Sequence, residues 1–526
     1  MKNLLIKRSY RCIGILTILF SFYSCDKSNI NINNVTKEQL LTDNLLTGSF
    51  IVQMQQNAIT TNVNAYQLTD NLIGDIYSGY MSASGNWFSS RNNTTYSLIS
   101  DWNNEAFSSA FTSVMPAWKS VLENAISGDL SVPAVANIIK VFALHRTTDI
   151  YGPLPYTRFL EEGTSKAYDS QADIYKRFFE ELDESILNLT NFVALFPNEK
   201  PLAKFDLVYA GDYVKWIKFA NTLKLRLAMR IVYVDPTLAQ QHAESAVNHQ
   251  YGVIQTNEEM AQLKSNSQII INNPLRYIWN DYADIRMSAS MYSYMVGYKD
   301  PRISKYFNFA TRAGSNNSYL GIREGSNITD KGLYTTFSTP NIQLNTPILW
   351  ISAAESYFLR AEGAIRNWNM GDNAESLYNK GITISFEQHG APLGAYLTDA
   401  VSKPVNYIDP VNSSNNISAS INNVTIQWSN AANFETKLER IITQKWIAMF
   451  PNGQEGWSEF RRTKYPRIFP VANNFSGGII NTATQIRRIP FPNIEYQTNA
   501  QAVNAAISLL GGADNGATKL WWDKKP

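Results

Sequence analysis

Cysteine is nearly absent from this chain: of 526 residues only Cys12 and Cys25 carry a thiol. Two cysteines exclude a disulfide framework and any CxxC metal or redox pair. Histidine is almost as scarce, with only His145, His242, His249 and His389, and no HExxH or phosphate-loop pattern occurs. A GxSxG nucleophile elbow is missing too. No apolar run reaches the ~20 residues that span a bilayer. Charge of one sign is also lacking. Removing the four basic residues of the N-terminal segment from the total of 46 leaves 42 against 44 acids, which offers no basic footprint for nucleic acid.

The N-terminus carries what the rest lacks. Lys2, Lys7, Arg8 and Arg11 precede or enter a short apolar run, Ile13 to Phe20, and Cys25 follows closely. A charged n-region and a short h-region describe an export peptide, and a cysteine at the cleavage point adds a lipid anchor that tethers without spanning. Ser24 suits position −1, whereas Phe22 and Tyr23 are bulkier than usual there. We read residues 1–24 as signal, Cys25 as the lipidated residue and 25–35, polar and Asn-rich, as a flexible tether. The folded body then occupies 36–526, long enough for a large core.

Amphipathic helix is the recurring pattern. It is clearest over Val135 to Ile150, Ala172 to Leu189, Asp212 to Tyr233, Ala353 to Asn367, Asn373 to Ile384 and Glu435 to Phe450. Met370-Gly371-Asp372 interrupts two of these, and the spacing Ala374, Tyr378, Gly381 resembles the second helix of a tetratricopeptide unit. Small residues there admit a close antiparallel neighbour, so 353–384 is predicted to form one helix pair of a curved scaffold. Trp216, Trp446 and Trp457 lie in helical patterns and are expected to pack inside. Arg461 and Arg462 are expected to pair locally with Glu455 and Glu459. His145 and Asp149, at i and i+4, read as a packing pair rather than a cation site, and His242 as lying on the exposed face of a short helix.

Long irregular stretches separate the helices, and such loops commonly bind something. Those over 77–104, 265–347 and 392–433 are assigned to a loop-rich ligand lobe. Within the last, Asn412 to Asn423 is the best candidate for disorder and Val424 to Trp428 for a short strand. Sugar binding asks for flat aromatic faces beside planar polar groups. The Gly/Ser-rich stretch from Tyr77 to Phe88 supplies both, with Tyr80, Asn86 and Trp87 as leading candidates. A second cluster is Tyr277, Trp279, Asn280, Asp281 and Tyr282, followed by Arg286, and a third is Tyr319 with Arg323. Packing beneath a long loop is the competing reading for every one of these rings.

Several blocks in one order resemble a known family: Asp149-Ile-Tyr-Gly-Pro-Leu-Pro-Tyr156, Gly211 to Arg230, Asp300-Pro-Arg302, Glu355 to Glu362, Gln444 to Phe450, Gly456 to Thr463 and Arg488-Ile-Pro-Phe-Pro492. On these the chain is similar to the SusD/RagB outer-membrane lipoproteins, especially their second SusD-like branch, along nearly its whole mature length. The resemblance implies a mainly α fold, a SusD-like helical scaffold of tetratricopeptide-like pairs plus a loop-rich lobe with few short strands. It further implies a lipid-anchored protein of the outer membrane, facing the cell exterior, that captures an oligosaccharide and delivers it to a SusC-like TonB-dependent transporter, without catalysis. Peptide or another small nutrient in the same role, an assembly scaffold without small ligand, and an anchored glycan hydrolase are the alternatives. No cofactor is implied; structural calcium between loop oxygens would have no motif behind it.

Overall fold

The computed structural model describes residues 44–163 and 165–526. The signal, Cys25 and the tether read from the sequence lie outside the described residues. Among the described residues, helices of at least eight residues are α1 (Leu45–Ala58), α2 (Met115–Asn124), α3 (Ser131–Tyr151), α4 (Gln171–Leu195), α5 (Tyr213–Arg230), α6 (Pro236–Val247), α7 (Ala289–Gly297), α8 (Ala353–Ile365), α9 (Ala374–Gln388), α10 (Phe434–Ala448), α11 (Gly453–Thr463) and α12 (Ala500–Leu510), with a π-helical stretch over Gln67–Asp75. Every helix read from periodicity is present, with ends within four residues of those expected except that α4 runs on from Leu189 to Leu195.

Short polar side chains set those ends. The side chains of Ser170, Asp212, Ser352, Asn373, Asn433 and Asn452 each accept a hydrogen bond from the backbone N–H three residues on, satisfying a donor that the first turn leaves without a partner. Neighbouring helices then pack in sequence-adjacent pairs, α3 with α4, α5 with α6 and α8 with α9. In the last pair a Cβ on Gly381 would stand 2.9 Å from the Phe358 ring, and Tyr378 is fully buried edge-on to that ring at 6.1 Å. The small residue lets the helices approach, as the spacing predicts.

The helix pairs share a buried charge cluster. Arg226 and Arg230 of α5, Arg366 beyond α8, Lys445 of α10 and Arg462 of α11 meet Asp149, Glu355, Glu362, Glu455 and Glu459. Arg226 grips Glu355 with two bonds of 2.7 Å, and Arg462 grips Glu362 at 2.7 and 2.6 Å. Facing arginines hold the Glu362, Glu455 and Glu459 carboxyls below the usual range against the opposing effect of burial. The expected local pairing holds for Arg462 with Glu459 at 2.6 Å. Arg461 departs from it: its guanidinium stacks on Trp457 at 3.5 Å and donates to the carbonyls of Asp149 and Arg487. Trp216, Trp446 and Trp457 are wholly buried. Asp149 belongs to the cluster through Arg230, and His145 is a buried packing residue whose ring nitrogen meets the Val141 carbonyl.

Strand is confined to two antiparallel two-stranded ladders among the described residues. β1 (Met81–Ala83) pairs with β3 (Ile285–Met287), with Met81 opposite Met287 and Ala83 opposite Ile285; β2 (Ala261–Leu263) pairs with β4 (Ile348–Ile351). Three expectations need correction, two in loops and one on a helix. Val424 to Trp428 forms no strand, because its carbonyls are taken by side chains: Tyr298 donates to Val424, Arg440 to Thr425 and Tyr378 to Ile426. Asn412 to Asn423 follows a hydrogen-bonded course, with Asp409 accepting from the backbone of Val411 and Asn412 and from Asn415, and Ile417 bridging to Tyr407. His242 is not on an open face; it lies flat on Phe179 with centroids 3.9 Å apart, and burial lowers its pKa to about 4.

Candidate functional site

The β1–β3 ladder brings the first two sequence clusters together. Where the pairing ends, the backbone N–H groups of Ser84 and Gly85 both donate to the Asp284 carbonyl, at 2.8 and 3.4 Å. The loop from Asn86 to Ser90 therefore begins beside the segment from Trp279 to Asp284. The Asp284 carboxylate fixes that neighbourhood by accepting from Gln67 at 2.8 Å and from Lys331 at 2.6 Å, while Lys331 also donates to the Tyr282 carbonyl at 2.5 Å.

Sterics and hydrogen bonds then shape the loop. Trp87 lies against Gly85, where a Cβ would stand 2.8 Å from the indole. Phe88, Ser89 and Ser90 all have positive φ, at 52°, 52° and 61°, a conformation that costs a non-glycine residue on the order of 1 kcal/mol. Polar side chains hold it there. The Asn92 amide donates to the Trp87 carbonyl at 2.9 Å, the Thr95 hydroxyl donates to the Ser90 carbonyl at 2.5 Å, and the Ser90 hydroxyl exchanges bonds with the backbone of Ile328.

What this arrangement presents is a cluster of three rings. Trp102 meets Trp87 at 5.9 Å and Phe88 at 5.8 Å, both edge to face. Phe88 is 60% exposed, Trp87 and Trp102 are half-buried, and Asn86 and Asp101 are exposed beside them. Apolar rings left in water next to free planar polar groups suit the C–H faces and edge hydroxyls of a sugar. Phe88 and Trp102 were not among the sequence candidates. Trp102 carried the same signal as Trp87, an aromatic in a polar loop, whereas the exposure of Phe88 follows from its left-handed backbone and had no sequence signal.

The remaining candidates divide. Tyr282 is 40% exposed and Asp281 is exposed, 3.3 Å from Arg276. Trp279 is half-buried, its indole N–H donating to the Ile342 carbonyl at 2.9 Å and its face covered by Arg276 at 4.9 Å. Arg286 is buried and donates to the carbonyls of Thr335, Trp279 and Ile285, and burial lowers its pKa to about 10. Tyr319 is carried on a separate loop and packs against Phe309 at 4.7 Å. Two candidates are core residues. Tyr80 is wholly buried, its ring 5.1 Å from Trp446 and its hydroxyl donating to the Trp446 carbonyl. Arg323 is 3% exposed, paired with Glu324 at 3.1 Å and stacked on Phe469 at 5.0 Å. Neither has a surface to offer a ligand.

A groove of about 730 Å³ opens elsewhere, between α2, α3 and α4. The charges on its floor are already paired, Lys140 with Glu181 at 2.8 Å and the Tyr156 hydroxyl with the other Glu181 oxygen, so they are not free to orient a ligand. Among the described residues no three His, Cys, Asp or Glu side chains gather as a metal site, and no helix is long and apolar enough to cross a membrane.

Comparison with known proteins agrees with this architecture. The family model "SusD-like: Susd and RagB outer membrane lipoprotein" matches residues 27–523. Among solved structures, a chitin-binding SusD homologue from Flavobacterium johnsoniae is 41% identical over 91% of this chain and 99% of its own, with a TM-score of 0.88. A SusD homologue from Bacteroides uniformis is 39% identical over 91% and 99%, with a TM-score of 0.84, and one from Bacteroides thetaiotaomicron is 36% identical over the same shares, with a TM-score of 0.85. No curated protein matches. The mainly helical scaffold with few short strands is that of these homologues, whose family consists of binding proteins rather than enzymes. A match along nearly the whole length, together with this shared fold, makes the chain a member of the SusD/RagB family of outer-membrane lipoproteins.

Proposed function

We infer that this protein is lipidated at Cys25, stands on the outer face of the outer membrane, captures an oligosaccharide on the Trp87, Phe88 and Trp102 cluster and passes it to a SusC-like TonB-dependent transporter. The observation that carries this reading is the ring cluster itself. A loop that spends backbone strain to keep Phe88 in water gains nothing for the core, and such strain gathers where a ligand is met. Asn86 stands exposed next to Trp87 in the chain as a polar edge, and exposed Tyr282 and Asp281 belong to the segment whose end, Asp284, is bonded to Ser84 and Gly85 at the start of this loop. The chitin-binding relative supports a glycan as the ligand and makes N-acetylglucosamine oligomers the first probes.

Calorimetry of the mature chain with such oligomers, backed by an array of other glycans, tests the reading. Stacking on one ring is worth about 0.5–1.5 kcal/mol beyond its area, roughly two- to tenfold, so with the area lost as well Trp87→Ala should weaken binding about tenfold while the protein stays folded. Wild-type affinity in Trp87→Ala would remove the site from this loop, and silence towards every glycan would remove the ligand class. Co-purification of a large outer-membrane barrel with the tagged protein tests the transporter.

A further inference from the structure

A second pair of rings stands open on the same lobe. Phe309 is 47% exposed and packs on half-buried Tyr319, at the base of a loop closed by the backbone bond from Ala310 N–H to the Ser318 carbonyl. At its tip, Asn316 and Asn317 are exposed and their amides make no hydrogen bond among the described residues. The pair thus repeats the chemistry of the first cluster, an aromatic surface beside free planar amides.

Backbone hydrogen bonds connect the two places. β1 pairs with β3, the Met287 N–H donates to the Ser338 carbonyl, and the Thr311 N–H donates to the Thr336 carbonyl. Three steps between adjacent backbone segments, each about 4.8 Å, set an upper limit of about 15 Å between the Phe309 segment and β1, whose C-terminal end leads into the Trp87 loop. A separation on that scale is within reach of one extended oligosaccharide.

We propose that Phe309 and Tyr319 form a second sugar-contact patch that engages the far part of the glycan chain held at the Trp87 cluster, so that the lobe selects long oligosaccharides over short ones. The proposal rests on the reading of the Trp87 cluster as a glycan site. Once the first patch is occupied, contact at the second is intramolecular, and linked contacts of this kind raise affinity without any change at the first site.

The test compares the disaccharide and the hexasaccharide of N-acetylglucosamine by calorimetry on wild type, Trp87→Ala and Phe309→Ala, with thermal melts as fold controls. Phe309→Ala should bind the disaccharide as wild type does and lose about tenfold for the hexasaccharide, while Trp87→Ala loses both. Tyr319→Ser, which removes the other ring, should repeat the length-selective loss. If Phe309→Ala and Tyr319→Ser bind the hexasaccharide like wild type while Trp87→Ala does not, the second patch is refuted and the first stands. If Trp87→Ala also binds both ligands normally, both are refuted; if wild type binds neither, the same short and long pair is compared for the glycan that the array identifies, and silence towards every glycan refutes both.

Discussion

Replacing Glu459 by glutamine removes one charge from the buried cluster while keeping the side chain's size. In the native protein this carboxylate accepts from Arg230 at 3.0 Å and from Arg462 at 3.0 and 2.6 Å, with the Lys445 ammonium 3.4 Å away. All four side chains are at most 1% exposed. Because five cations face five carboxylates there, Glu459→Gln leaves one buried positive charge uncompensated. Breaking a buried pair by removing one partner costs about 3–5 kcal/mol, a large part of the ~5–15 kcal/mol that holds a typical protein folded. Urea unfolding followed by the fluorescence of the buried tryptophans should show that loss as a lower midpoint with an unchanged slope. Adding Arg462→Met should cost less than the two single changes together, with a coupling of at least ~1 kcal/mol. A loss below about 1 kcal/mol for Glu459→Gln, or strict additivity in the double variant, would refute the view of the cluster as one coupled unit.

Tyr80→Phe should cost about 1 kcal/mol through the lost bond to the Trp446 carbonyl and leave glycan binding untouched, separating this core residue from the neighbouring loop in calorimetry. Stability should also depend on pH in a defined direction. Burial lowers the folded-state pKa of both His242 and His389 to about 4, against about 6.5 in the unfolded chain. Between these values the unfolded imidazoles bind more protons, so the stability that depends on these two histidines falls as pH drops from 6.5 to about 4, while Asp75, Asp149 and Glu439, whose carboxyl pKa values burial raises, act in the opposite sense. The depressed Glu362, Glu455 and Glu459 extend the fall, because their contribution is present above the unfolded carboxylate pKa and is lost as pH drops below it towards their folded values. A His242→Gln, His389→Gln variant should make the upper limb shallower, leaving the share of His145 and His249, whose pKa values burial also lowers, and should keep the lower limb in urea midpoints measured across pH.

The helices were legible because their evidence is local: apolar residues at helical spacing, and Gly381 where Phe358 must fit. Arg226 and Glu355 were legible only as separate residues, since pairing across 129 positions leaves no local mark. At the site, Trp87 and Tyr282 stood out as rings in polar loops, but so did Tyr80, whose position at the mouth of β1 turns it inward onto Trp446. Composition identifies a loop rich in rings; which ring faces water depends on backbone angles such as the positive φ of Phe88. Arg323 misled for a related reason, because its partner Glu324 is adjacent in sequence yet both are drawn inside.

The charge cluster also bears on the order in which the chain becomes a protein. Among the described residues Arg226 finds its carboxylates at Glu355 and Glu455, so a chain emerging from its N-terminus carries that guanidinium without these counter-ions until the last third follows. Burying it earlier would be heavily unfavourable. A partly emerged chain is thereby held back from closing this part of its core until the carboxylates of the last third are present.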